Sequence, residues 1–253
     1  MSSFQCKRAT SVIGGTLLVI LGTGVALCGT FHVNPIRIFL SAQSTTALLT
    51  VRNDSAEKVR FQVGVFEWDE TPQGEMLLNP TDDLIFYPNL LAIDAGEERK
   101  IRVGSTKSIV ASEKSYRIFV EELPPVEKSD HSGIRILTKM GIPVFIQPAK
   151  QSVQGQVADV KLSETEFSFE IRNAGNVHFF PRNISVQGRG PQGETILASQ
   201  LQPWYILSGG VRKYSVEIPQ GDCHKLQSLL VEIELEGKSL KETFSVPLHA
   251  CKG

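Results

Sequence analysis

Short segments in which polar and apolar residues alternate, separated by turn-forming residues, run through this chain from residue 31 almost to its end. Alternation with a period of two is typical of strands that bury one face, and the abundant Val, Ile and Thr residues favour the same conformation. No segment longer than about a dozen residues shows the 3.6-residue period of an amphipathic helix. The pattern therefore predicts an all-β fold.

The predicted strands form two sets, separated by a short linker at residues 149–152. About seven short strands in each set, divided by turns, are typical of a β-sandwich of roughly a hundred residues. We therefore expect one sandwich over residues 31–148 and a second over residues 153–253. The predicted strands are residues 31–40, 45–51, 59–68, 83–87, 98–103, 116–123 and 134–148, followed by 153–162, 166–172, 177–188, 194–201, 211–218, 229–236 and 242–248.

Composition and charge narrow the possible functions. The 253 residues are 41% hydrophobic, which is enough for two ordinary cores, so disorder is not expected. The formal net charge is only -1 and no block of Lys and Arg concentrates positive charge. No interaction with nucleic acid is predicted, because such binding needs a basic surface.

The sequence also lacks the usual patterns of catalytic and metal sites. The five histidines stand singly, so no metal site is predicted. No Gly-x-Ser-x-Gly elbow occurs, and adjacent acids such as Asp69 and Glu70 fall on opposite faces of a strand or in turns. We expect neither an enzyme nor a cofactor; a secreted hydrolase would require distant side chains to converge in the fold.

The first 28 residues differ in character from the rest of the chain. Lys7 and Arg8 precede a run without charge that ends at Cys28, and small residues near its end suit a cleavage site. This pattern predicts a signal peptide over residues 1–28 and no stable membrane insertion after its removal; an uncleaved anchor is the alternative. Export leaves Cys223 and Cys251 in an oxidising compartment, where either one disulfide or two buried thiols would account for them.

The predicted strand over residues 134–148 carries apolar side chains on both faces. Pro143 cannot donate a backbone hydrogen bond, so we expect this strand at the edge of a sheet, where apolar residues invite a partner. The residues on one of its faces are, in order, Ile134, Ile136, Thr138 and Met140. Periodicity alone leaves open whether this row faces a partner or the core of its own domain.

Four motifs occur in order along the first set of strands: FHVNPIRI at residues 31–38, VFEWD at 65–69, YRIFVEELPP at 116–125 and IPVFIQP at 142–148. In this order they resemble the PapD-like periplasmic chaperones of the chaperone–usher pathway, from its fimbrial and spore-coat-U-type branch. Two further motifs, RNAGNVH at residues 172–178 and YILSGG at 205–210, extend the resemblance over nearly all of the chain after the signal peptide. The resemblance implies two immunoglobulin-like β-sandwich domains in a boomerang arrangement, preceded by a signal peptide, in the periplasm.

The resemblance also implies a function and its site. Members of this family hold secreted pilus or fimbria-like subunits and deliver them to an outer-membrane usher. The subunit lacks its last strand, and the chaperone lends its own edge strand to the resulting groove. By position, Ile134, Ile136 and Met140 match the donated apolar row, and Thr138 is a polar interruption within it.

Three charged residues match positions with a role in the family. Arg37 matches the arginine that holds the C-terminal carboxylate of the subunit, although it also fits an ordinary surface cation. The lysine that assists this arginine falls on Pro143, so half of that anchor is missing from the sequence. Arg102 and Glu113 match residues of a salt-bridge set between the domains.

A structural surface or pilus subunit made of two β-sandwiches is the alternative function. Such a subunit would carry a donor extension ahead of an incomplete sandwich. Here the first predicted strand begins at Phe31, almost at the predicted cleavage site. This spacing favours the chaperone.

Overall fold

The computed structural model describes residues 31–107, 110–125, 136–247 and 250–251. These residues contain seventeen β-strands and one 3-10 helix, Cys223–Lys225, which confirms the all-β prediction. The predicted signal peptide and Ile134 lie outside the described residues. No helix in the described part of the chain is long and apolar enough to cross a membrane.

The described residues of the N-terminal domain form ten strands. They are β1 (Phe31–Asn34), β2 (Ile38–Leu40), β3 (Thr46–Asn53), β4 (Val59–Glu70), β5 (Met76–Pro80), β6 (Leu84–Tyr87), β7 (Leu90–Ile93), β8 (Glu98–Ser105), β9 (Lys114–Leu123) and β10 (Lys139–Ile146). One sheet has the order β1-β3-β8-β6. The other has the order β2-β10-β9-β4-β5, and β7 pairs with β4. Alternate residues of both sheets form one core, which includes the fully buried Leu49, Phe61 and Ile118.

The C-terminal domain contains seven strands. They are β11 (Gly155–Leu162), β12 (Glu166–Asn173), β13 (Asn183–Arg189), β14 (Thr195–Leu201), β15 (Val211–Glu217), β16 (Ser228–Leu235) and β17 (Lys238–Ser245). A three-stranded sheet, β11-β12-β15, packs against a four-stranded sheet, β14-β13-β16-β17. A disulfide joins Cys223 to Cys251, and both residues belong to the core between the sheets.

Four predicted strands are wrong in extent. Among its described residues, the segment over 134–148 forms a strand only from Lys139 to Ile146. The segment over residues 31–40 is two strands, because the chain leaves one sheet at Pro35 and enters the other at Ile38. The segment over residues 177–188 becomes regular only at Asn183. The segment over residues 242–248 belongs to β17, which begins earlier, at Lys238.

Two strands, β5 and β7, are absent from the prediction. Every residue of β5 is exposed, so its sequence carries no alternation of buried and exposed positions. Strand β7 has only four residues, which is too short for a clear pattern. Both are paired to β4, so the long neighbouring strand determines their conformation.

Candidate functional site

Strand β10 has one free edge over its first half. It pairs with β9 along its whole length, from Lys139 opposite Glu121 to Ile146 opposite Lys114. On its other side, β2 pairs only with residues 144–146. Within the described residues, the edge over 139–143 therefore has no strand beside it. An unpaired edge of this kind is a template for a strand from another chain.

The apolar row of β10 passes from solvent into the core of its own domain. Ile136 is 81% exposed, whereas Ile142 is 1% exposed and belongs to the N-terminal core. Met140 lies between these extremes, partly buried and packed against the same core. Thr138 marks the start of pairing, because its carbonyl accepts a hydrogen bond from the backbone N–H of Glu122 at 2.9 Å. The row is therefore exposed to solvent at Ile136 and part of the domain's own core at Ile142.

The opposite face of β10 contacts the C-terminal domain. Phe145 is completely buried, and its ring stacks on His178 with a centroid separation of 3.8 Å. Phe145, Trp68 and Leu207 form a cluster, and Tyr205 packs against it. Side chains from both domains therefore make one small apolar core at the joint. In the sequence these aromatic residues fall in separate motifs, and only the fold brings them into contact.

A buried carboxylate also joins the two domains. The Glu113 side chain is fully buried, and its Oε1 lies 2.6 Å from His178 Nδ1 and accepts the His178 backbone N–H at 2.9 Å. The Glu113 backbone N–H donates to the Asn176 carbonyl at 2.8 Å. These contacts tie the start of β9 to the loop after β12.

The two residues expected in a salt-bridge set between the domains lie in different sheets. Arg102 lies exposed on β8, and it forms no ion pair with another described residue. Glu113 directly precedes β9 of the other sheet, and its carboxylate contacts His178. The sequence alone could not show which side chain faces Glu113.

A second charged contact lies on the other side of the aromatic cluster. The Glu70 carboxylate accepts hydrogen bonds from Trp204 Nε1 at 2.6 Å and from Arg212 Nη1 at 2.9 Å. Burial raises the pKa of Glu70 in spite of these two donors and of the nearby positive charges of Arg212 and Arg117. None of these contacts was predicted, because each joins residues far apart in the sequence.

Arg37 lies exposed beside the joint, in the bend between β1 and β2. It lines a cavity of about 480 Å³ together with Phe39, His178, Arg182 and Lys238. The C-terminal domain therefore adds two cations to the cleft that Arg37 enters. One of them, Arg182, forms an exposed pair with Glu236 at 3.3 Å.

The cleft combines positive charge with apolar surface. No group of three or more His, Cys, Asp or Glu side chains able to hold a metal ion occurs within the described residues. Lys139, on the free edge of β10, forms an ion pair with Glu121 at 2.9 Å and lies over the ring of Phe119. The arrangement suits the binding of an extended segment along β10, with its end near Arg37.

Comparison with known proteins places the N-terminal domain in a described family. Residues 30–152 match the family model of the pili and flagellar-assembly chaperone, PapD N-terminal domain. No curated protein sequence matches the chain significantly.

Solved structures share the fold over most of the chain. A chain of the CsuC–CsuE chaperone–tip adhesion subunit pre-assembly complex of Acinetobacter baumannii superposes with a TM-score of 0.58 and 17% identity, over 85% of this chain and 98% of that one. A chain of the complex between SafA pilin and the SafB chaperone of Salmonella enterica gives 0.55 and 14%, over 85% and 95%. The E. coli chaperone DraB gives 0.52 and 18%, over 85% and 96%. At these identities the likeness shows a shared fold.

Proposed function

Because residues 30–152 match the family model of the pili and flagellar-assembly chaperone, PapD N-terminal domain, we propose that this chain is a periplasmic assembly chaperone. It binds secreted pilus or fimbria-like subunits by donating a strand and delivers them to an outer-membrane usher. It acts without catalysis and without a cofactor. Two of the similar structures contain a chaperone with a pilin or a tip adhesion subunit, which supports a client of this class.

The free edge of β10 is the observation that carries this proposal. Its backbone groups between Lys139 and Pro143 face no neighbouring strand in the described part of the domain. Strand addition at such an edge gains affinity from main-chain hydrogen bonds and specificity from alternate side chains that enter pockets. The side chain of Ile136 can enter such a pocket, because the residue is 81% exposed.

Each site residue has a defined role in the proposal. Ile134, Ile136 and Met140 fill the groove of the subunit, and Thr138 is the polar position between them. Arg37 holds the C-terminal carboxylate of the subunit in the cleft between the domains, since its planar guanidinium can bind a carboxylate through two hydrogen bonds. Residues 31–148 supply the donor strand, and residues 153–253 supply the other wall of the cleft.

The variant Ile136→Asp tests strand donation. A carboxylate in an apolar groove loses its hydration without gaining a partner, so the variant should fold and be exported but fail to capture its subunit. The measurement is a periplasmic pull-down with the tagged chaperone. Replacing Ile134 and Ile136 together should give the same result.

Ile85→Asp is the matched control. Ile85 is 65% exposed on β6, in the sheet that lacks β10, so the same change there should leave capture intact. If Ile136→Asp captures as much subunit as Ile85→Asp does, the subunit does not bind through this face.

A further inference from the structure

A small polar crevice lies at the joint between the domains, on the side away from Arg37. The order of the sheet places β2, which follows Arg37, at one edge and β4 and β5 at the other, with β10 and β9 between them. The crevice has a volume of about 240 Å³ and is lined by residues of β4, β5 and the start of β9, and by Leu207 and Ser208 of the C-terminal domain. It shares no lining residue with the cleft beside Arg37, so the two are separate.

Two buried polar atoms belong to residues on the wall of this crevice. Trp68 is 2% exposed, and its indole Nε1, a donor, makes no hydrogen bond with any described residue. Glu113 is 6% exposed; its Oε1 accepts from the backbone N–H of His178, whereas its Oε2 has no donor within the described part of the chain. Buried polar groups cost free energy unless they are hydrogen-bonded, so both atoms require a partner.

The two atoms together define the chemistry of that partner. An ammonium group can donate to Glu113 but cannot accept from Trp68. A carboxylate can accept from Trp68, but its charge would be repelled by that of Glu113. A hydroxyl group can do both, because it carries one donor and two acceptor positions. The pair therefore favours a molecule that carries hydroxyl groups.

The rest of the lining also suits hydroxyl groups. It includes two carboxylates, one amide and two hydroxyls, which belong to Glu67, Asp69, Asn79, Ser115 and Ser208. The carboxylates accept hydrogen bonds, whereas the amide and the hydroxyls can also donate them, so several hydroxyl groups of one molecule can be bound. The volume lies below the range of about 300–1,000 Å³ that is typical of drug-sized ligands, which indicates a small occupant.

We propose that this crevice binds a small neutral polyol of about the size of one sugar ring, with a hydroxyl that accepts from Trp68 Nε1 and donates to Glu113 Oε2. Both domains take part, because Trp68 and Glu113 belong to the N-terminal domain and Ser208 to the C-terminal domain. The bound molecule therefore links the domains at their joint. This site is independent of strand donation, which uses the free edge of β10 on the other side of β9.

Nuclear magnetic resonance tests the site directly, because the chain contains only two tryptophans. The indole N–H of Trp204 already donates to Glu70 at 2.6 Å, so its signal is an internal reference. The isotope-labelled full chain is titrated with D-glucose, N-acetylglucosamine, myo-inositol and glycerol in turn. At least one of them should shift the Trp68 indole signal saturably and leave the Trp204 signal in place; Trp204→Phe identifies the two signals.

Ser208→Leu places an apolar side chain in the crevice and removes one of its hydroxyls. It should weaken the saturable binding by about tenfold or more. Ser199→Leu, on β14 and outside the lining, is the matched control and should bind as the wild type does. The amide signals of each variant report whether it folds, and Ser208→Val replaces Ser208→Leu if the latter does not.

The absence of a saturable shift with all four polyols would overturn the inference, because water alone would then fill the crevice. Equal shifts of both indole signals, or unchanged binding by the folded Ser208 variant, would overturn it as well. A saturable shift with methylammonium or acetate but with none of the polyols would show that the site takes an ion instead. The Ile136 pull-down contains no polyol, so either proposal can fail while the other stands.

Discussion

At the scale of single residues, one asparagine performs the same task in each domain. Asn53 and Asn173 end strands β3 and β12, and they are 0% and 3% exposed. Each accepts, at Oδ1, the backbone N–H of the residue two positions later, and each donates from Nδ2 to the carbonyl four positions later. Each Nδ2 also donates to a distant strand or bridge, at Ile93 or Ile206. These bonds satisfy backbone groups that the turn would otherwise leave unpaired.

We expect Asn173→Ala to destabilise the protein by about 2–3 kcal/mol, because the Val177 carbonyl loses its side-chain donor and the carbonyls of Ile206 and Leu207 each lose one of two donors. Urea unfolding followed by fluorescence measures the loss. Asn34→Ala, at an exposed position of β1, is the control and should change stability by less than about 0.5 kcal/mol. Similar midpoints for the two variants would contradict the role assigned to Asn173.

At the scale of elements, strand β10 is held by strand pairing, whereas the C-terminal segment is held by a disulfide. Strand β10 pairs with β9 along its whole length and with β2 at one end, so the edge of its first half remains unpaired among the described residues.

The last described residue, Cys251, is fixed in the core of the C-terminal domain by its disulfide bond to Cys223, 28 positions earlier. A cross-link of this length restricts the unfolded chain substantially.

The double variant Cys223→Ala and Cys251→Ala should therefore lose about 3–4 kcal/mol of stability, as expected from the closure of a loop of this size. Guanidinium unfolding of the C-terminal domain provides the measurement. The wild-type chain under strong reductant should match the variant. If it unfolds at the same midpoint with and without reductant, the bond does not contribute in solution.

At the scale of the whole molecule, the joint between domains combines apolar and charged contacts. Tyr205 packs on Trp68, Phe145 and Phe180 with ring centroids 5.0–5.9 Å apart. The Lys213 backbone N–H donates to the Pro72 carbonyl at 2.7 Å, which ties β15 to the turn after β4. Such contacts hold the two walls of the cleft beside Arg37 against each other.

Tyr205→Ala should loosen this joint and cost about 1–3 kcal/mol, because the half-buried ring leaves a void among its aromatic neighbours. Calorimetry should resolve separate unfolding of the two domains, and small-angle scattering should show a larger radius of gyration. Tyr205→Phe keeps the ring contacts and should behave as the wild type. One cooperative transition with an unchanged radius in Tyr205→Ala would show that the joint does not depend on this ring.

The sequence by itself determined the class of fold and most of the strands, because alternation of exposed and buried residues is a local property. It also indicated the edge character of the strand at Pro143 and the exposure of Arg37. The sequence did not predict the change from one sheet to the other after Pro35, nor strand β5, because neither alters the local pattern of polarity.

Only the tertiary structure decided which distant side chains meet. The Glu113 carboxylate contacts His178, and Arg117 lies close to Gly141, which is 24 positions away in the chain and on a neighbouring strand. The register of the sheets and the packing of one domain on the other set these contacts, and neither is encoded in any short segment. The physical reason is that strand periodicity reports burial at each position but carries no information about the partner.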